Sequence, residues 1–269
     1  MVIDRHSELK ELLTELKLSR MSANFSQVAL SSAKEGLSHE AFLYELVRQE
    51  SEARGERRLV RLLAQSKLPI GKTFDGFEFG QYSPLLRSQL ERLRSGKFVL
   101  EATNVVAVGP PGVGKSHAVA AIGYELIRQG RRVLWSSTAG LVQRLLLAKR
   151  ELRLVSELER LNRIECLILD DIGYVQHNRD EMEVLFTLLS ERYERRSVII
   201  TTNLVFSEWE RIFKDPLTTL AALDRVIHHS VVLDMMKVES YRARQALGQR
   251  QEGGSKKDVK PNTLIPPET

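Results

Sequence analysis

The sequence predicts an α/β fold: a parallel sheet between helices, preceded by a small all-helical N-terminal domain. Three observations predict it. Short apolar runs at Val105–Val108, 132–136, Cys166–Asp170 and Ser197–Thr201 are separated by helix-length amphipathic segments, the pattern of parallel strands covered on both faces. The first such run opens directly into the glycine-rich stretch Gly109-Pro-Pro-Gly-Val-Gly-Lys-Ser116, which a helical pattern follows. The first 66 residues lack strand-like runs and carry helical periodicity throughout.

Taken in order, Leu9, Leu12, Leu13 and Leu16 share one stripe of a helix over 5–18. A second helix is expected at about 24–34. A third starts near Ser38, its N-cap, with Phe42, Leu43, Leu46 and Val47 as its apolar face. Residues 67–96 read as a linker, rich in Pro, Gly and aromatic residues, that orders against something, followed by a short helix over 84–96. The core is expected over 97–247, with helices at about 115–129, within 138–162 and at about 179–194. The polar tail 248–269 is expected to be disordered.

The chain of 269 residues carries a formal charge of +5. That is a weak lean towards a polyanionic partner. No run of 18 apolar residues exists, so no membrane span is expected. The charged N-terminus is no signal peptide, and a single cysteine, Cys166, suits the reducing cytoplasm.

The glycine-rich stretch predicts a phosphate-binding loop. Gly109, Pro110, Pro111, Gly112, Val113 and Gly114 turn successive backbone N–H groups towards phosphates, and His117 follows the loop. Lys115 brings a positive charge to the β and γ phosphates of ATP, and the Ser116 hydroxyl is placed to ligate Mg2+. A second element, Leu167-Ile-Leu-Asp-Asp171, ends an apolar strand in two acids. Asp170 is expected to hold the magnesium and Asp171 to polarise the attacking water; the alternative is that one of them caps the turn at Gly173. A third strand end, Ser197-Val-Ile-Ile-Thr-Thr-Asn203, offers Asn203 to the γ phosphate and the water, with Thr201 or Thr202 sharing the task or serving as turn residues.

Arg225, near a helix end, is a candidate to complete the site of a neighbouring subunit; the alternative is a surface arginine paired with Asp224. His228 and His229 are adjacent and diverge, with no carboxylate at ligand spacing and no Cys nearby, so no zinc site is expected there.

Together these residues resemble the AAA+ ATPases, and more closely the IstB family of insertion-sequence helper ATPases, relatives of the DnaC helicase loader and the DnaA initiator. The resemblance runs over about 5–247. It rests on Lys67-Leu-Pro69, Thr73-Phe-Asp-Gly-Phe-Glu-Phe79, Gly109–Ser116, Leu167–Tyr174, Arg192-Tyr-Glu-Arg195, Thr201-Thr-Asn203, Phe206-Ser-Glu-Trp-Glu-Arg-Ile-Phe213, Leu223-Asp-Arg225 and Glu239-Ser-Tyr-Arg242. It implies an AAA+ core that binds and hydrolyses ATP, assembles as an ATP-dependent homo-oligomer on double-stranded DNA without sequence specificity, and recruits and stimulates a transposase. Asn203 is then the sensor and Arg225 the trans-acting arginine. Phe77, with Phe74 and Phe79, flanks the adenine or packs on the sheet edge. The Asp170–Asp171 pair departs from the commoner Asp–Glu.

The family also carries an extra helix after the second core strand. In this chain residues 140–163 hold six basic and three acidic side chains, and Arg144, Lys149, Arg150 and Arg153 are the candidates for DNA phosphates. The alternative is a solvated helix face. Lys256, Lys257 and Lys260 in the tail would add loose affinity. Two other functions remain open: a helicase-loader-type ATPase, and a DNA-binding scaffold that ATP merely stabilises.

Overall fold

The computed structural model describes residues 4–173, 179–213 and 216–241. The chain divides into two compact units, Met1–Gln65 and Ser66–Thr269. The tail from Gly248 with its three lysines, core residues 242–247, and the motif residues Tyr174 and Arg242 lie outside the described residues.

The first unit consists of α1 (Arg5–Glu15), α2 (Ser19–Glu35) and all but the last residue of α3 (His39–Ser66). Its core gathers Leu13, Met21, Phe25, Val28 and Leu46, with Phe42 packed against them. The Ser38 hydroxyl accepts from Ala41 N at 3.2 Å, as an N-cap does. Two expectations are corrected. Leu9, Leu12 and Leu16 are exposed while Leu13 alone of the stripe is buried, and Leu43 and Val47 are exposed too.

The second helix begins at Ser19, five residues ahead of the expected start, because its cap comes from elsewhere in the chain. The Glu50 carboxylate on α3, only 3% exposed, accepts from Arg20 N (2.7 Å) and Met21 N (3.1 Å) and pairs with Arg57 at 3.0 Å. Burial works to raise the Glu50 pKa, but these donors outweigh it and hold the carboxyl below its ordinary value. Its stabilisation is therefore present above the unfolded carboxylate range and lost as pH falls through the depressed folded value. Glu50→Gln should cost about 2 kcal/mol locally, seen as roughly thirtyfold faster amide exchange at Arg20 and Met21 at neutral pH. The gap to wild type should close in acid.

The second unit continues with α4 (Pro84–Arg94), α5 (Lys97–Leu100), β1 (Asn104–Val108), α6 (Lys115–Arg128), β2 (Val133–Ser137), α7 (Thr138–Arg150) and α8 (Leu154–Asn162). It goes on with β3 (Cys166–Asp170), α9 (Arg179–Arg192), β4 (Ser197–Thr202), α10 (Glu210–Phe213), α11 (Pro216–Ile227) and β5 (Ser230–Asp234). All pairings are parallel, in the order β2-β3-β4-β1-β5. This is an α/β fold with a parallel sheet flanked by helices.

β1 and β4 are buried along their whole length, and β3 up to Asp170, as their unbroken apolar runs require. Since all strands run the same way, their C-terminal ends share one edge, and the turns after β1, β3 and β4 meet there.

One buried charge pins the opposite edge. Arg192, 1% exposed, donates to the carbonyls of Leu161 (2.9 Å), Ile164 (3.1 Å) and Ser197 (2.9 Å). It thereby ties the end of α8 and the approach to β3 to the start of β4. Burial pushes its pKa down to about 10, so it stays charged at neutral pH. Burial likewise pushes the Cys166 thiol up to about 12, which leaves it unreactive.

Candidate nucleotide site

The loop after β1 turns sharply because its glycines permit it. Gly112 (φ +84°) and Gly114 (φ +94°) occupy the left-handed region. A Cβ on Gly109 would lie 2.9 Å from the backbone of Met235, just beyond β5. Tyr82 fixes the loop from the other side, its hydroxyl donating to Val113 O at 2.9 Å. A Cβ on Gly114 would stand 2.3 Å from that hydroxyl. Gly114→Ala therefore meets both backbone strain and a collision. ATP affinity should drop about a hundredfold with the sheet intact, measured by titrating a fluorescent ATP analogue.

Lys115, at the start of α6, donates to the carbonyls of Gly109 (2.7 Å) and Pro110 (2.9 Å). Beside it the Ser116 hydroxyl donates to Asp170 Oδ1 at 2.8 Å. The same oxygen accepts from Thr201 Oγ1 at 2.6 Å, and Thr201 Oγ1 in turn accepts from Asp171 N at 2.8 Å. One threonine on β4 thus orients both acids at the end of β3. Asp171 takes a φ of +67°, unusual for a residue with a side chain. Burial and then the neighbouring Asp170 raise the Asp171 pKa, and Lys115 opposes them.

Hard oxygen donors from Ser116 and Asp170 at a helix N-terminus fit Mg2+, which takes one or two protein ligands and keeps its waters. Of the three polar residues ending β4, Thr201 is committed to the acids, and the Thr202 hydroxyl accepts from Leu204 N at 3.1 Å. Among the described residues Asn203 Oδ1 is buried without a hydrogen-bond partner. Gly173, beside the acids, allows its approach: a Cβ there would lie 2.4 Å from Asn203 Oδ1.

Beside the loop lies a cavity of about 260 Å3 lined by Phe77, Tyr82, Lys115, His117 and Tyr241, among others. Phe77 is buried, stacks in parallel on Tyr82 (4.9 Å between centroids) and meets His117 edge-on at 5.2 Å. His117 Nε2 lies 2.9 Å from Thr73 O, and Tyr241 N donates to Gly112 O at 3.1 Å. The predicted linker is thus two short 3-10 turns, Phe74–Gly76 and Phe79–Gln81, set against the phosphate loop. Sequence reasoning gave no role to Tyr82, in the linker, or to Tyr241, in the Glu239–Arg242 stretch; neither carries a local signal of what its hydroxyl or backbone will reach.

Arg225 does not join this group. It stands in the last turn of α11, donating to Ala221 O at 2.9 Å, with its guanidinium 5.0 Å above the Phe186 ring. Its carbonyl accepts from Asn104 Nδ2 at 3.3 Å. Asn104 is the first residue of β1 whereas the phosphate loop follows the last, so roughly 13 Å of strand separates Arg225's anchor from the loop of its own chain.

Of the basic candidates on the α7–α8 segment, Arg144 pairs with Glu157 at 2.9 Å, Lys149 with Glu183 at 2.9 Å, and Arg153 with Glu151. Arg150 is exposed.

One exclusion needs correcting. A carboxylate does stand beside the two histidines: Glu194 Oε1 lies 3.4 Å from His229 Nε2, and ligand atoms of Glu194, His228 and His229 lie within 4.8 Å of one another. The turn after α9 brings it there from 34 and 35 positions away. All three residues are exposed.

Residues 11–249 match the family model described as IstB-like ATP binding protein. The chain belongs to this family. It is 42% identical over 244 residues to the insertion-sequence protein y4iQ/y4nD/y4sD of Sinorhizobium fredii, named for ATP binding, with 90% of this chain and 82% of that one covered. It is 38% identical over 238 residues to a protein of insertion sequence IS21 from Pseudomonas aeruginosa, also named for ATP binding, covering 88% and 89%.

Among solved structures the chain is similar to the DnaC helicase loader, with a TM-score of 0.50 and 21% identity over 63% of this chain and 98% of that one. It is also similar to AMPPCP-bound DnaA from Aquifex aeolicus, with a TM-score of 0.54 and 17% identity over 70% and 57%. These two likenesses concern the fold. The protein is thus an ATP-binding member of a transposition-related IstB family. No helix among the described residues is long and apolar enough to cross a membrane.

Proposed function

We propose that the protein is a magnesium-dependent ATPase that assembles on double-stranded DNA and recruits and stimulates the transposase of its insertion sequence. The carrying observation is the network at the ends of β1, β3 and β4, where Ser116, Thr201, Asp170 and Asp171 are linked at 2.6–2.8 Å.

In this reading Lys115 exchanges the two loop carbonyls for the β and γ phosphates, and the loop amides from Gly109 to Ser116 and on to His117 cradle them. Ser116 and Asp170 would hold magnesium, which would supply positive charge against the phosphates. Asp171 orients the water and draws on its proton. Asn203, whose amide oxygen has no partner among the described residues, holds the water's other hydrogen. Phe77 and Tyr82 wall the base.

Arg225 serves a neighbouring subunit, because its anchor lies at the far edge of the sheet from its own loop. A ring or filament of head-to-tail copies would set each arginine at the next nucleotide. Hydrolysis is then gated by assembly.

Arg144, Lys149, Arg150 and Arg153 are assigned to DNA phosphates. Arg150 is exposed, while the other three must exchange carboxylate partners for phosphates. Such contacts position the protein on DNA without reading sequence. The transposase assignment rests on relatives that are insertion-sequence proteins. The helical residues 1–66 form the domain ahead of the ATPase core, and the protein works in the cytoplasm, where the Cys166 thiol stays reduced.

The test measures particle size and ATP turnover of the purified protein with ADP, ATP or a non-hydrolysable analogue, with and without duplex DNA. ATP and DNA together should give a large assembly with faster turnover, and the purified transposase should join it. A particle that stays monomeric and ignores DNA would overturn the reading. A stable complex with a replicative helicase, and none with the transposase, would move the protein to helicase loading.

A further inference from the structure

Leu152 is a residue that the fold does not ask for. It makes the corner between α7 and α8, where Leu152 N donates to Lys149 O (3.1 Å) and Arg153 N to Ala148 O (2.8 Å). This closure needs a left-handed residue at the corner, and Leu152 has a φ of +56°. Glycine is the residue that such a corner favours, and a side chain costs about 1 kcal/mol there. Burial returns nothing, because Leu152 is 95% exposed. Val155 (72% exposed) and Leu147 (55% exposed) stand on the two helices beside it.

Neither turn chemistry nor solubility explains an apolar tip at this corner. Its surroundings suggest what does. Arg150 and Arg153 lie two residues before and one residue after it, both exposed, within a segment that carries twice as many basic as acidic side chains; the adjacent Glu151 pairs with Arg153, which must exchange that carboxylate for a phosphate. Three apolar side chains are too few for a stable protein interface, which buries on the order of 1,200 Å2 or more. A single apolar tip between cations has the form of the wedges that proteins insert between stacked base pairs.

We propose that Leu152 is such a wedge: it enters duplex DNA at a base step while Arg150 and Arg153 hold the flanking phosphates. The proposal rests on the DNA-binding reading above. Unstacking one step costs a few kcal/mol, which phosphate contacts repay. Pyrimidine–purine steps unstack most easily, so a weak preference for TA and CA steps accompanies binding that is otherwise indifferent to sequence.

The test uses duplexes carrying 2-aminopurine at one step, with wild type and Leu152→Gly, in the presence of a non-hydrolysable ATP analogue. Glycine suits the corner, so Leu152→Gly should melt at or above the wild-type temperature, which separates folding from function. Wild type should brighten 2-aminopurine on binding. Leu152→Gly should leave it dark and bind about tenfold more weakly, with a shallower salt dependence, because the phosphate contacts that the opened step permits are lost with it.

Equal brightening by the variant would overturn the wedge, as would duplex binding by wild type with no brightening, and either leaves the DNA reading standing. Wild type that binds no duplex at all overturns both. Loss of DNA-free, ATP-driven assembly in Leu152→Gly with the brightening retained would assign Leu152 to a subunit contact instead.

Discussion

Asp171→Asn should lower ATP turnover by about a thousandfold while ATP affinity changes no more than about threefold. Asparagine keeps the size of the side chain, and the backbone N–H that Thr201 Oγ1 accepts is untouched, so the network around Asp170 survives. What is lost is the negative charge that draws on the attacking water. The pH profile supplies a second readout. Burial and Asp170 raise the Asp171 pKa, and in the proposed mechanism only its ionised form assists the water. Wild-type turnover should therefore fall with acid at a pH above the ordinary carboxylate range, and the residual rate of the variant should lack that limb. A variant that keeps a tenth or more of wild-type turnover would remove Asp171 from the chemistry.

Arg225→Ala should cut turnover of the assembled protein by at least about a thousandfold, as loss of a trans-acting arginine does elsewhere. The decisive form of the experiment mixes two inactive variants. Arg225→Ala brings an intact acid pair, and Asp171→Asn brings an intact arginine. Where the first precedes the second around a head-to-tail assembly, a complete site forms. An equal mixture should thus recover about a quarter of wild-type sites. Recovery of nothing, from variants that still co-assemble, would mean that Arg225 serves its own chain. The roughly 13 Å of strand between its anchor and its own loop argues against that outcome.

How much of this the sequence disclosed depended on how local the causes were. The strands β1, β3 and β4 are legible because complete burial demands continuous apolar runs. The phosphate loop is legible because its glycines are demanded by backbone angles. β5 escaped notice: it is an edge strand, only half covered, and Ser230-Val-Val-Leu-Asp234 follows two histidines without a turn signal. The start of α2 was hidden because its cap, Glu50, arrives from 30 positions away. Tyr82 and the Glu194–His229 approach were hidden for the same reason. Such residues acquire their meaning from whatever the folded chain sets beside them, which periodicity does not encode.

The nucleotide pocket is closed by segments from both flanks of the core. Tyr82 comes from before the sheet begins and Tyr241 from after its last strand, and each holds a backbone carbonyl of the same short loop. On the proposed reading, a nucleotide bound there would act as a removable clasp across nearly the whole length of the second unit. By mass action, ligand at a hundred times its dissociation constant adds about 2.7 kcal/mol to the clasped state. Discharge of the nucleotide would then do more than empty a pocket: it would loosen the two chain segments that flank the core, and so carry the state of the phosphates outward along the polypeptide.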